Sequence, residues 1–112
     1  MTLHRVRTLA GMTEVTHNPG QSRYEAHVDD VLAGVAVYQL SDQLVVITHT
    51  EVEPAYEGQG IGSALTRFAL DDVRRDGARK VLPLCPFVKD WMAQHPDYDD
   101  LVYGAPPSTA MD

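Results

Sequence analysis

With a single cysteine, Cys85, the chain cannot close a disulfide within itself, and the sequence reads as that of a protein kept in a reducing cytoplasm. Basic residues are scarce as well: nine Lys and Arg stand against 16 Asp and Glu, a formal net charge of -7. A nucleic-acid surface needs clustered cations to neutralise phosphates, so no nucleic-acid partner is expected. No apolar run approaches the roughly 20 residues that cross a bilayer, and the first residues carry no secretory pattern, so no membrane association is expected. The glycines near the middle are followed by no Lys-Ser/Thr pair, which removes a Walker loop, and their spacing does not give the G-x-G-x-x-G of a dinucleotide fold. No metal site is expected. What remains, 112 residues of which 44% are hydrophobic and 22% charged, suits one domain with one core.

The chain divides by period. Residues 1–11 have no convincing pattern and read as a flexible arm, and 104–112 (GAPPSTAMD) as a frayed, Pro-containing tail, leaving 12–103 as the domain. From Met12 to Val52 the pattern is that of strands. Thr13 to His17 ends at NPGQ, and Arg23 to Val28 alternates, with Tyr24, Ala26 and Val28 on one face. Asp29-Asp30 turns the chain into Val31 to Leu40, and Ser41-Asp42-Gln43 turns it into Leu44 to Val52. Beyond the glycines the period becomes helical: Ile61, Ala64, Leu65, Phe68, Ala69 and Val73 recur on one stripe, with Gly77 as the stop. Arg79 to Leu84 reads as a short buried strand, Phe87 to Gln94 as a second helix between Pro86 and Pro96, and Asp97 to Tyr103 as a last strand. The fold class is therefore α+β, with a mostly antiparallel sheet and two main helices.

The stretch EGQGIG, Glu57 to Gly62, joins the last strand of the meander to the first helix. No Ser, Thr, Asp or Asn stands at the N-cap to satisfy the free N–H groups of the helix start. Exposed amides at the positive end of a helix suit a phosphate, while a solvated turn is the plainer reading of the same residues.

VEPAYEGQGIGSALTRFALDDVR resembles the acetyl-CoA-binding motif of the GNAT superfamily of acyl-CoA N-acyltransferases, Gln/Arg-x-x-Gly-x-Gly/Ala. Gly60 and Gly62 match its two small positions, and Glu57 stands where Gln or Arg is usual. LCPFVKDWMAQHPDYDDLV is similar to a short GNAT-like group with a cysteine before the last helix, and the likeness runs from Thr13 to Val102. It implies an acetyl-CoA-dependent N-acetyltransferase, acting on a small-molecule or protein amine, as a monomer or weak homodimer. It also implies a twisted sheet splayed between its fourth and fifth strands, here Leu44 to Val52 and Arg79 to Leu84. The pantetheine arm would pair with the free backbone of Thr48 to Val52, so Thr50 and Val52 join the cofactor-binding set. The pyrophosphate would rest on Glu57, Gly58, Gln59, Gly60, Ile61 and Gly62. Lys89, Arg67 and Arg74 are candidates for the 3′-phosphate, and Phe87 and Trp91 for core or slot wall.

Three residues are candidates for chemistry. Cys85 begins the turn into the second helix, where the helix end favours a thiolate; it would carry the acetyl group or protonate the CoA sulfur, or serve as a small core hydrophobe. The helix after the fifth strand of the family usually carries a Tyr as that acid, and here it has Trp91 and no Tyr. His49 and Glu51 are candidates for the base, and with Glu53 they share a strand face opposite Thr48 and Thr50. That face either lines the splay as an acidic acceptor site or lies in solvent. His95 reads as structural. Two other classes stay open: an acyl-CoA-binding module without turnover, and an interaction domain whose glycines serve only the turn.

Overall fold

Alternating burial lays down the sheet, and the computed structural model describes residues 3–8 and 11–104 of it and of the helices that cover it. Six strands run in sequence order across one sheet: β1 (Leu3–Thr8), β2 (Gly11–Asn18), β3 (Arg23–Val28), β4 (Val31–Leu40), β5 (Leu44–Val52) and β6 (Lys80–Pro83). The first five pair antiparallel, and β6 returns parallel to β5. The parallel return needs a crossover, which the helix α1 (Ile61–Asp76) supplies. A shorter helix, α2 (Pro86–Ala93), follows β6.

Turn chemistry explains the hairpins. Asp29 and Asp30 both take positive φ, 49° and 70°, the two-residue geometry whose twist matches paired strands. Ser41 folds the next turn, its Oγ accepting from the amide of Leu44 at 3.1 Å. Tyr24, Ala26 and Val28 face the core as expected, and meet Val15, Ala36 and Tyr38 beneath α1. The apolar stripe of α1, with Leu65, Ala69 and Leu70 fully buried, closes the core from that side. Gly77, at φ 75°, stops the helix, and its N–H donates to the carbonyl of Val73. Gly34 permits the close approach of helix and sheet: a Cβ there would lie 2.9 Å from the carbonyl oxygen of Glu51 and within 3.3 Å of Ile61 and Leu65 side chains.

Two expectations give way. Leu3–Thr8, within the stretch read as a loose arm, pairs with β2 over six positions, from Leu3 opposite Thr16 to Thr8 opposite Gly11. An edge strand is held by main-chain bonds to one neighbour and requires no apolar period. The expected tail lies outside the described residues, apart from Gly104. Asp97 to Tyr103 is not a strand: Pro96–Leu101 forms a 3-10 helix, with only a single bridge from Val102 to Val81. Pro96 presets the helical φ, Asp97 and Asp99 sit in the first turn where negative charge is favoured, and Tyr98 and Leu101, three apart, turn to the core together.

Candidate functional site

The chemistry gathers where β5 and β6 part. Their register runs only from Leu44 opposite Lys80 to Ile47 opposite Pro83. The amides of Leu84 and Cys85 then both donate to the carbonyl of Ile47 at 3.0 Å, and the chain leaves the sheet for α2. Residues His49 to Val52 remain paired with β4 on one side, and Thr48 to Val52 have no strand partner on the other among the described residues. This is the expected splay. With an N-terminal strand added to the count, it lies between the fifth and sixth strands.

A bulge decides what faces the slit. Val37 pairs with His49 but Tyr38 pairs with Ile47, so Thr48 is an extra residue in β5. Before it, Val45 and Ile47 point into the core; after it, Thr50 and Val52 point to the helix side instead. His49 and Glu51 are turned outward. Their side chains are 59% and 67% exposed, with Nε2 and Oε1 3.8 Å apart, and Glu53 is exposed beside them. The structure thus places the His49, Glu51 and Glu53 face in solvent, on the other side of β5 from Thr50 and Cys85. Thr48 is half-buried and donates its hydroxyl to the carbonyl of Val37 at 3.3 Å.

Pro54–Tyr56 bends the chain out of β5 in one 3-10 turn, and the glycine loop leads into α1. Gly58 and Gly60 adopt φ of 77° and 84°, a region side chains with Cβ enter at a cost, and no side chain caps the helix at Gly60. A cleft of ≈ 340 Å³ opens over this loop, walled by Val52, Tyr56 and Phe87 and floored by Gly58, Gly60, Ile61 and Gly62. Of the expected loop residues, Gln59 is held off the cleft, its side-chain amide donating to the carbonyl of Ala55. Gly62 has a steric reason of its own: a Cβ there would sit 2.8 Å from the Phe87 ring, so α2 is seated against the start of α1. Tyr56 and Ser63 also line the cleft; both lie in the stretch that carries the resemblance but outside its Gln/Arg-x-x-Gly-x-Gly/Ala positions, so nothing in the sequence singles them out.

Cys85 is the N-cap of α2 and is buried, with 5% of its surface exposed. Its thiol donates to the Thr50 hydroxyl at 3.4 Å, across the slit. Burial pushes the thiol pKa up, but bonds from the Thr50 hydroxyl and from the amides of Val88 and Phe87 outweigh it and leave the thiol more acidic than usual. Thr50 and Cys85 are therefore brought together, and Val52, Glu57, Gly58, Gly60, Ile61 and Gly62 meet at the cleft, while the expected cations stand apart from both. Lys89 lies on a different surface, with Leu82, Leu84 and Met92. Arg67 stacks over Trp91 at 5.1 Å and donates to the Tyr98 hydroxyl, and Arg74 is paired with Asp100 at 2.8 Å. Those two cations pin α1 to the 3-10 helix. Trp91 donates to Ser63 and stacks on His95 at 3.7 Å, which fits His95 as a structural group.

Among the described residues no helix is long and apolar enough to cross a membrane. No curated protein matches the sequence. Among solved structures, the chain is similar to a GCN5-like protein from Staphylococcus aureus, with a TM-score of 0.63 and 19% identity over 88% of this chain and 95% of that one. It is also similar to a ribosomal-protein-alanine N-acetyltransferase from Brucella melitensis biovar Abortus 2308, with a TM-score of 0.50 and 19% identity over 89% of this chain and 68% of that one. At such identities the likeness establishes the fold. The model of the GCN5-related N-acetyltransferase family matches residues 23–101, which holds every element from β3 to the last 3-10 helix. The chain therefore belongs to the GCN5-related N-acetyltransferase family, and by that membership is an acyltransferase.

Proposed function

We propose that the protein transfers an acetyl group from acetyl-CoA to an amine, with the donor lying in the slit between β5 and β6. The observation that carries this reading is the continuity of two unfilled hydrogen-bonding surfaces: the free edge of Thr48 to Val52 and the uncapped start of α1. An extended pantetheine arm has amides that complement the first, and a pyrophosphate complements the amides of the second. Backbone at Thr50 and Val52 serves the arm; Glu57 to Gly62 serve the phosphates, with Gly60, Ile61 and Gly62 the main donors. Phe87 and Tyr56 form the apolar walls. Lys89 stays out of this set.

Cys85 and Thr50 face each other across the slit at the end of the arm's path. Hydrogen bonds that favour the thiolate support the carrier role over the proton-donor role. In that role the Cys85 sulfur attacks the thioester carbonyl, the bond to the CoA sulfur breaks, and the departing thiolate takes a proton. The amine then attacks the new thioester, loses its proton to base, and restores the Cys85 thiolate. His49 and Glu51, with Glu53, draw a cationic amine toward the open side of β5; because they lie across the strand from Cys85 they steer the acceptor, and the proton released in the attack passes to water. Polyamines, lysine side chains and protein N-termini are the acceptor chemistries that suit such a face.

Coenzyme A titrated into the parent and into Gly60→Val tests the site. The variant should stay folded and lose about tenfold or more in affinity, since its Cβ and strained φ disturb the amides that meet phosphate. Equal affinity in a folded variant would place the cofactor elsewhere. Acetyl-CoA supplied without acceptor should add one acetyl mass to the parent and none to Cys85→Ser, and Cys85→Ala should slow transfer about a hundredfold or more with little change in coenzyme A affinity. Coenzyme A binding with no transfer to any of a panel of amines would instead mark a non-catalytic acyl-CoA-binding module.

A further inference from the structure

A second pocket lies at the far end of α1, where the ends of β2, β4 and β5 meet the last helical turns. Its volume is ≈ 400 Å³, within the range of small-molecule sites. Asp72, which lines it, is eleven residues along the helix from Ile61, about 17 Å from the glycine loop at the α-helical rise. The two sites share no lining residue.

The inner wall is a closed network. Tyr24 donates to Asp72 Oδ2 at 2.8 Å, and Arg75 donates to Asp72 Oδ1 at 3.1 Å. The His17 ring stacks on Tyr24 at 4.4 Å, bonds Tyr38 through Nε2, and holds Nδ1 3.5 Å from Asp72. The ring thus links the Tyr38 hydroxyl on one side to the Asp72 carboxylate on the other. Burial, and then the bonded carboxylate, drive the Tyr24 phenol far above its ordinary pKa, so the phenol keeps its proton and its bond to Asp72.

The rim differs. Arg79 is held by one bond, from Nε to the Ser41 carbonyl at 2.7 Å, which fixes the plane of its guanidinium. Its charged neighbour Asp76 is 3.8 Å from Nη1, too far for a hydrogen bond, and the Asp76 side chain is 59% exposed. Two opposite charges thus stand side by side, each with spare hydrogen-bonding capacity, above a floor that includes Leu40, Val45 and Val73. Two carboxylates and two guanidiniums line the pocket, Asp72 against Arg75 and Asp76 against Arg79. A ligand with one charge would leave one rim group without its counterion. A ligand with both would satisfy the pair.

We propose that this pocket binds a small zwitterion with an apolar body, an α-amino acid with a hydrophobic side chain. Its carboxylate meets the fork of Arg79, its ammonium meets Asp76, and its side chain lies on Leu40, Val45 and Val73. The planar fork matches a carboxylate through two parallel bonds.

The test is an NMR titration of the full ¹⁵N-labelled chain near neutral pH with L-phenylalanine, glycine, phenylacetate and phenethylamine. L-phenylalanine should bind at least about tenfold more tightly than each of the other three, with shifts centred on Tyr38, Val45 and Asp76. Asp76→Asn and Arg79→Gln should each weaken L-phenylalanine about tenfold while preserving the folded spectrum and coenzyme A affinity. The proposal is overturned by phenylacetate or phenethylamine binding as tightly as L-phenylalanine, by unchanged affinity in both folded variants, by shifts centred on residues 58–63, or by no saturable shift. The acyl-donor slit is tested separately, with coenzyme A alone, so the two readings can fail independently.

Discussion

The two halves of β5 meet opposite fates. Val45 to Ile47 is paired on both sides, to β4 and to β6, and sends Val45 and Ile47 into the core. Past the bulge at Thr48 the same strand is paired on one side only, exposes His49 and Glu51, and turns Thr50 toward Cys85. One extra residue separates a half that holds the sheet together from a half that leaves hydrogen-bonding capacity unused. Stability and chemistry are thereby assigned to different ends of one element, and substitutions should sort along that line.

The largest effect is expected in the closed half. Ile47 is 2% exposed, and Ile47→Ala should remove about 2–5 kcal/mol of stability in urea unfolding through lost burial and a residual cavity. A loss as small as that of a surface substitution would mean the two halves are not mechanically distinct. Gly34→Ala comes next and tests a place where the open half is tightly packed. Its methyl would press on the Glu51 carbonyl and on α1, and overpacking of this kind destabilises by about 1–3 kcal/mol. Thermal unfolding reads the cost, and a neutral result would show that helix and strand can move apart freely.

The smallest change in stability is expected at Thr50→Val, which keeps the shape and removes the hydroxyl facing Cys85. The thiol pKa should rise toward that of an ordinary cysteine, visible as thiolate ultraviolet absorbance appearing at higher pH. The sign for stability follows. A thiol more acidic folded than unfolded contributes stability above the ordinary thiol pKa and loses it as pH falls through the lowered value. Thr50→Val should flatten that part of the pH profile. An unmoved thiolate transition would reassign the acidity of Cys85 to backbone amides, those of Val88, Phe87 and Thr50.

Much of this architecture was legible in the residues, and what was hidden has a physical reason. Hydrophobic period located β3 to β5 and α1, and Asp29-Asp30 and Gly77 located their ends, because these signals are local. The glycine loop could be read as a site because a missing cap is also local. The strand at Leu3–Thr8 could not, since an edge is held through backbone that any sequence supplies. Asp97 to Tyr103 was misread because Tyr and Leu at short spacing suit a strand as well as a 3-10 turn, and Pro96 decided between them. Faces along β5 follow from strict alternation until an unpaired residue shifts the count, and Thr48 carries no mark of being that residue. The engagement of Arg67 and Arg74 with Trp91, Tyr98 and Asp100 depends on tertiary contacts that a list of basic residues does not contain.

Strand order has a consequence for how the molecule assembles. Every strand neighbours its predecessor in the chain, so the first five can zip through short hairpins whose loop-closure entropy is small. Only β6 must wait for a long connection, the 16-residue helix with its flanking loops, before it can join. Such late, non-local pairing is the kinetically slow step in sheet formation. The seam completed last in folding would then be the one that is partly unzipped in the finished protein, because the chain turns from β6 into α2 after Pro83 and leaves an edge for another extended molecule.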